Sequence, residues 1–252
     1  MGTRLEHKTA LVTGATSNIG RAIATNFATE GAHVIVSGRS AERGAEVIAQ
    51  IHAAGGRAEF IAANLDGSAQ ASRDLAAAAT RALGGRIDVL VNNAGIFPGA
   101  TTLTVDEAMF DEVYAVNVKA PFFLTAAIAP QMQQHGSGAI INLGSWVARL
   151  GIPVGALYAS TKGAIETLTR AWAAEFGSQT VRVNAISPGV VRAQSENDPA
   201  AAMMRGTPYG AFGNPDAIAS AAIFLASDET TFVNGTVIDV DGGRTGVAVI
   251  AH

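Results

Sequence analysis

A doubly wound α/β fold, a seven-stranded and mostly parallel sheet with helices on both faces, is what this sequence predicts, on three observations. Short apolar, β-branched runs recur at 10–13, 34–37, 59–62, 89–92, 139–143, 181–186 and 236–240. Most are too continuously apolar to face water on either side, so helices must cover both faces of the sheet they build. Helical patterns fill the gaps between them, at 21–30, 41–54, 68–83, 105–134, 157–176 and 215–227, and strand, crossover helix, strand is the pattern of a parallel doubly wound sheet. The 252 residues, 48% hydrophobic with 28 Gly and only 15% charged, suit one domain with a sizeable core. No Pro/Ser-rich linker, low-complexity tract or internal repeat divides the chain.

Composition also narrows the function. A formal charge of −4, with 17 scattered basic residues, argues against nucleic acid as a partner. The absence of cysteine excludes disulfides and thiolate metal sites or nucleophiles. No Asp/Glu/His cluster stands at ligand spacing, so no metal site is expected, and His33 and His135 take no role. Residues 1–8 carry charges and no apolar signal core, and no uninterrupted apolar run approaches ~18 residues. The expectation is a soluble cytoplasmic protein with no membrane partner.

Taken in chain order, the first strand runs through the small-residue turn Gly14-Ala15-Thr16-Ser17-Asn18-Ile19-Gly20 into a helix expected to begin at Gly20 or Arg21. Glycine lets backbone approach a pyrophosphate closely, and the free N–H groups and dipole of a helix start attract that anion. Such a turn reads as a dinucleotide site, although taken alone it fits an ordinary strand-to-helix connection. The second strand ends at Ser37-Gly38-Arg39 and the third leads into Asn64-Leu65. The fourth closes on Asn92-Asn93-Ala94-Gly95, and the long helical stretch after it contains Val116-Asn117-Val118-Lys119. Ser145 follows the fifth strand. The fifth helical stretch opens with Tyr158-Ala159-Ser160-Thr161-Lys162, which places a phenol and an ammonium four residues apart on one helix face. An adjacent Lys⁺ favours the phenolate and brings tyrosine toward the range of acid-base work at neutral pH. A snorkelling lysine on an amphipathic edge would have the same spacing. The sixth strand leads into Ser187-Pro188-Gly189-Val190-Val191, and the seventh closes on Val240, with Asp241-Gly242-Gly243 after it.

With the turn, the Asn-Asn-Ala-Gly segment and the Tyr-x-x-x-Lys pair in view, the chain resembles the classical short-chain dehydrogenase/reductase family along nearly its whole length. The resemblance implies a Rossmann-type domain, with a cofactor-binding part over about 1–140 and a catalytic and substrate part over about 141–252. It implies Asn117, Ser145, Tyr158 and Lys162 as the catalytic set. It further implies cofactor contacts from Gly14, Thr16, Ser17, Asn18, Ile19, Gly20, Arg39, Asn64, Leu65, Asn93, Ala94, Gly95, Tyr158, Lys162, Pro188, Gly189 and Val191. The expected reaction is reversible hydride transfer between a nicotinamide and a carbonyl or alcohol. Tyr158 would exchange the proton and Ser145 would hydrogen-bond the substrate oxygen. By resemblance Lys162 also binds the nicotinamide ribose, and the Asn117 main-chain carbonyl, in a locally disrupted helix, holds a water of a proton relay.

Cofactor choice is read at Gly38-Arg39. A member preferring NAD usually carries an acid at the place of Gly38, which would repel a 2′-phosphate. Here Arg39 follows instead, and a guanidinium can grip a phosphate with two hydrogen bonds. NADP(H) is expected to be preferred, with NAD(H) possible. Three positions depart from the family pattern. Asn18 stands for the middle glycine, Asn64 for an aspartate facing the adenine amino group, and Ala193 for a threonine on the nicotinamide carboxamide.

The stretch 190–212, with Met203-Met204, Arg192 and Arg205, has the composition of a mobile lid over a small-molecule substrate. Phe97 and Trp146 fit either pocket lining or core packing. Arg149 and Arg192 leave a carrier-protein substrate open. A non-catalytic NADP(H)-binding sensor of the same fold is the alternative function, and a non-redox epimerase of the extended branch is a further rival. The apolar residues beyond one stripe on 105–134 and 157–176 suggest packing outside their own sheet. By resemblance those helices pair across a two-fold axis in a homotetramer.

Overall fold

The computed structural model describes residues 3–153, 155–192, 201–204 and 207–248. Ala193 and Arg205, singled out in the sequence, lie outside them. The strands are β1 (Thr9–Val12), β2 (His33–Gly38), β3 (Arg57–Ala62), β4 (Val89–Asn92), β5 (Gly138–Leu143), β6 (Val181–Pro188) and β7 (Val237–Val240). They form one seven-stranded sheet in the order β3-β2-β1-β4-β5-β6-β7, every neighbouring pair parallel. The order reverses between β1 and β4, and a crevice opens at the carboxyl ends of strands where that happens.

Alternation along each strand divides the core in two. Ala10 and Val12, Val34 and Val36, and Val89 and Val91 pack to one side with Ile23, Phe27, Ile218 and Ala222. Leu11, Ile35, Leu90 and Ile140 pack to the other, against Leu75, Leu124, Ile128, Trp172 and Phe176. The first layer comes from α1 (Asn18–Thr29), α2 (Ala41–Ala53) and α8 (Pro215–Ala226). The second comes from α3 (Ala69–Ala82), α5 (Ala120–His135) and α6 (Ala156–Phe176). Ser40, Ser68 and Asn214 cap α2, α3 and α8 through their side-chain oxygens, satisfying N–H groups that a helix start leaves open.

Three elements differ from the sequence reading. Helix α1 begins at Asn18, inside the turn, with Ser17 as its N-cap. The stretch read as one helix over 105–134 is α4 (Glu107–Tyr114), a π turn (Ala115–Lys119) and α5. Within 190–212 the described part holds a short helix, α7 (Ala201–Met204). The continuous helical run Glu107–His135 has a mean hydropathy of 1.3 over its most apolar window, so by length and composition it would span a bilayer. Its residues Leu124, Ile128 and Met132 lie in the core against α3 and the sheet, the place of an interior helix.

Candidate active site

The glycine-rich turn is built around Gly14, whose φ of 61° is left-handed and whose added Cβ would come within 2.9 Å of the Ala94 backbone. Only glycine meets both conditions. Thr13 fixes the turn against the next strand's end: its hydroxyl accepts from Asn93 N (3.0 Å) and Ala94 N (3.1 Å). Asn93 Nδ2 answers by donating to Thr13 O (2.8 Å) and Gly14 O (3.1 Å). Asn18 adopts φ 42°, the left-handed region that asparagine tolerates, and its amide donates to Val191 O at 3.3 Å. The family glycine is therefore replaced without losing the turn.

Above this turn lies a cleft of about 470 Å³ at the strand carboxyl ends. Every cofactor residue expected from the sequence lines it: the turn from Gly14 and Thr16 to Gly20, Arg39, Asn64, Leu65, Asn93 to Gly95, Tyr158, Lys162, Pro188, Gly189 and Val191. Ser145 and Phe97 line it too. Asn117 does not; it sits buried beneath the wall to which Val116 contributes. Sequence reading missed Arg43, a second guanidinium on the cleft. In sequence it is an ordinary polar residue in the first turn of α2, and only its distance of four from Arg39 hinted at a shared face.

Beneath the cleft, polar side chains are tied into one buried network. Asn92 Nδ2 donates to Asn142 Oδ1 (2.9 Å) and Thr125 Oγ1 (3.2 Å), and Asn142 Nδ2 donates to Thr169 Oγ1 (2.9 Å). These bonds lock β4, β5, α5 and α6 together directly below the site, as buried polar groups require. The Asn117 side chain clasps the loop after β4: Oδ1 accepts from Ile96 N (2.8 Å), and Nδ2 donates to Ile96 O (3.0 Å) and Thr161 Oγ1 (3.2 Å). The π turn around it is the local helix disruption that the resemblance implied.

Ser145 caps a short 3₁₀ turn, Trp146–Ala148, and accepts from Val147 N at 3.4 Å. It lines the cleft together with Tyr158. Burial pushes the Tyr158 phenol up to about 12, with Ser145 pulling the other way. Burial likewise brings Lys162 down to about 8. The sequence reading had Lys162 lowering the phenol, and here the structure corrects it. The ammonium stands 5.5 Å from the Tyr158 ring centroid, over its face, and donates to Leu143 O at 2.7 Å. Desolvation of the phenol therefore prevails over attraction from the lysine. The Phe97 ring tilts against Tyr158 at 4.9 Å between centroids, so Phe97 belongs to the cleft, whereas Trp146 is only 5% exposed.

A parallel sheet with a glycine-turn cleft at its switch point, and Ser, Tyr and Lys converging on that cleft, defines a Rossmann-type dinucleotide-binding class. Residues 14–245 match the family model described as Enoyl-(Acyl carrier protein) reductase. D-threitol dehydrogenase from Mycolicibacterium smegmatis is 38% identical over 247 residues, covering 96% of this chain and 94% of that protein. A solved short chain dehydrogenase/reductase family protein superposes with a TM-score of 0.87 at 42% identity, covering 97% of this chain and all of the other. A 7α-hydroxysteroid dehydrogenase solved with NADH and 7-oxo glycochenodeoxycholic acid superposes with a TM-score of 0.90 at 35% identity, covering 98% of each chain. The chain belongs to the short-chain dehydrogenase/reductase family of oxidoreductases.

Proposed function

We propose that the protein is an NADP(H)-preferring oxidoreductase that interconverts a carbonyl and an alcohol, with Tyr158 as the proton-transferring group. One observation carries this reading: Ser145, Tyr158 and Lys162 line the same cleft as the Gly14 turn, with the Lys162 ammonium over the phenol ring. The cleft fits a dinucleotide. A side chain at position 14 would collide with the Ala94 backbone, so the close turn below the cleft needs glycine there, and the N–H groups at the start of α1 face an anion favourably. The Gly14 turn and Val191 would hold the diphosphate, and Lys162 the nicotinamide ribose. When bound, the nicotinamide supplies or accepts the hydride.

The protein's own groups manage the oxygen. Ser145 donates a hydrogen bond to the carbonyl oxygen and stabilises the charge that develops there. Tyr158, protonated at neutral pH because its burial disfavours the phenolate, delivers its proton to that oxygen in the direction of reduction. Lys162 retains a positive charge below pH of about 8 and offsets negative charge on the phenol as the proton leaves. Phe97, against Tyr158, gives the substrate mouth an apolar wall.

NADP(H) preference rests on the far end of the cleft, where Arg39 and Arg43 both reach it. At Gly38, an added Cβ would lie 2.7 Å from the Thr16 methyl, so an acid there would have to displace Thr16. Two guanidiniums without that acid suit a 2′-phosphate. The test is reduced-nicotinamide oxidation with a panel of ketones, β-keto esters and sugars, alongside dissociation constants for both cofactors. Turnover with NADPH and a tighter NADPH constant are expected, and Arg39→Ala should weaken NADPH about tenfold while sparing NADH. Tighter binding of NADH, or no effect of Arg39→Ala, would overturn the preference.

A further inference from the structure

Backbone bonds close the turn that carries Ser145, Ala148 N donating to Ser145 O (2.9 Å) and Leu150 N to Trp146 O (3.1 Å), but within the turn the Ser145 side chain is held only weakly. Ser145 Oγ accepts from Val147 N at 3.4 Å, near the outer limit of a hydrogen bond. Trp146, the next residue, is nevertheless 5% exposed, so something outside the turn covers it. One face of the ring is covered by Arg244, whose guanidinium carbon lies 4.1 Å from the Trp146 ring centroid, the geometry of a cation over an indole face.

Arg244 also gathers the chain on the substrate side. Its Nη1 donates to Met203 O and to Thr207 Oγ1, the latter at 2.7 Å. Thr207 N in turn donates to Met204 O (3.0 Å), and Tyr209 N to Gly242 O (3.1 Å). Asp241, the nearest acid in sequence, spends its carboxylate on its own loop, accepting from Gly243 N (2.9 Å) and Thr245 N (2.8 Å). Arg244 is thereby left to the indole and to the end of α7. At the other end of the turn, Arg149 donates to Ser187 Oγ (2.9 Å) and to both oxygens of Asp239. The turn is thus pinned to β6 and β7 behind it, and Arg244 closes its front.

We propose that Arg244 is a positioning residue: it clamps Met203, in α7, and Thr207 onto Trp146 and so fixes the Ser145 turn that receives the substrate oxygen. The functional half rests on the oxidoreductase reading above. The structural half stands apart from it.

The test uses full-length protein in a Trp172→Phe background, which leaves Trp146 as its one indole, since the chain has 2 Trp. Arg244→Met should raise the acrylamide quenching constant of Trp146 about threefold, because the side chain covering the ring is no longer anchored. Arg244→Lys keeps the charge without the planar fork and should fall between the two. Thr207→Val, which removes one bond and leaves the stack, should move quenching least. With NADPH and ethyl acetoacetate, Arg244→Met should raise the carbonyl KM about tenfold and lower kcat, while the NADPH dissociation constant stays within about twofold. Unchanged quenching in Arg244→Met would overturn the clamp. Greater quenching with an unchanged carbonyl KM, or an equal loss of NADPH affinity, would overturn its role in positioning Ser145. Wild-type protein that binds NADPH but reduces no carbonyl contradicts the oxidoreductase reading instead, and quenching then decides the clamp by itself.

Discussion

Tyr158 and Lys162 are displaced in opposite directions by one cause, their shared burial, and the two shifts have opposite consequences. A phenol held up at about 12 keeps its proton through the neutral range, which suits donation to a carbonyl; alcohol oxidation needs the phenolate and should accelerate as pH rises. A lysine held down at about 8, from an ordinary 10.5, costs folding free energy while it is charged. The unfolded chain binds the Lys162 proton more tightly than the folded one, so this cost is full below pH of about 8 and disappears as pH rises toward 10.5. Lys162→Met should therefore stabilise the protein at pH 7 by about 1–2 kcal/mol, after allowing for the Leu143 carbonyl that loses its donor, and abolish turnover. Urea unfolding at pH 7 and at pH 10 checks this; a variant less stable than wild type at pH 7 would contradict it. At this scale the cleft was legible in the sequence, because a turn, an Asn-Asn-Ala-Gly segment and a Tyr-x-x-x-Lys pair are local patterns. The direction of the Tyr158 shift was not, since it depends on how deeply the phenol is covered and where the ammonium points.

Among the elements, the strands were legible from their apolar runs, and their ends were set by partners. β3 starts at Arg57, earlier than its apolar run, because Arg57 pairs with His33. β6 continues to Pro188 because Pro188 pairs with Val240. The π turn in the long helix left no local signal, as Ala115-Val116-Asn117-Val118-Lys119 has no helix breaker. What accompanies it is tertiary: the Asn117 amide satisfies both backbone groups of Ile96 across the fold. Asn117→Ala leaves that N–H and C=O without partners and should cost about 1–3 kcal/mol. Asn117→Asp keeps only the acceptor and should fall between. Thermal unfolding measures the cost, and an alanine variant as stable as wild type would show that the clasp contributes nothing.

Across the whole molecule, several apolar rings among the described residues remain exposed. Phe110 and Phe122 are 46% and 42% exposed on α4 and α5, and Phe232 stands fully exposed after α8. Exposed apolar side chains mark association surfaces where they group, and the homotetramer expected from sequence would cover such rings. Light scattering should give about four chain masses, and Phe122→Asp should lower that number; a single chain mass for wild type would contradict the assembly.

The catalytic claim is tested most directly by Tyr158→Phe, measured for NADPH affinity and for turnover in the same preparation. The substitution removes one hydroxyl and leaves the ring against Phe97, so the NADPH dissociation constant should stay within about twofold while turnover falls by about a thousandfold. A phenylalanine variant that still reduces the carbonyl at close to the wild-type rate would mean that another group transfers the proton.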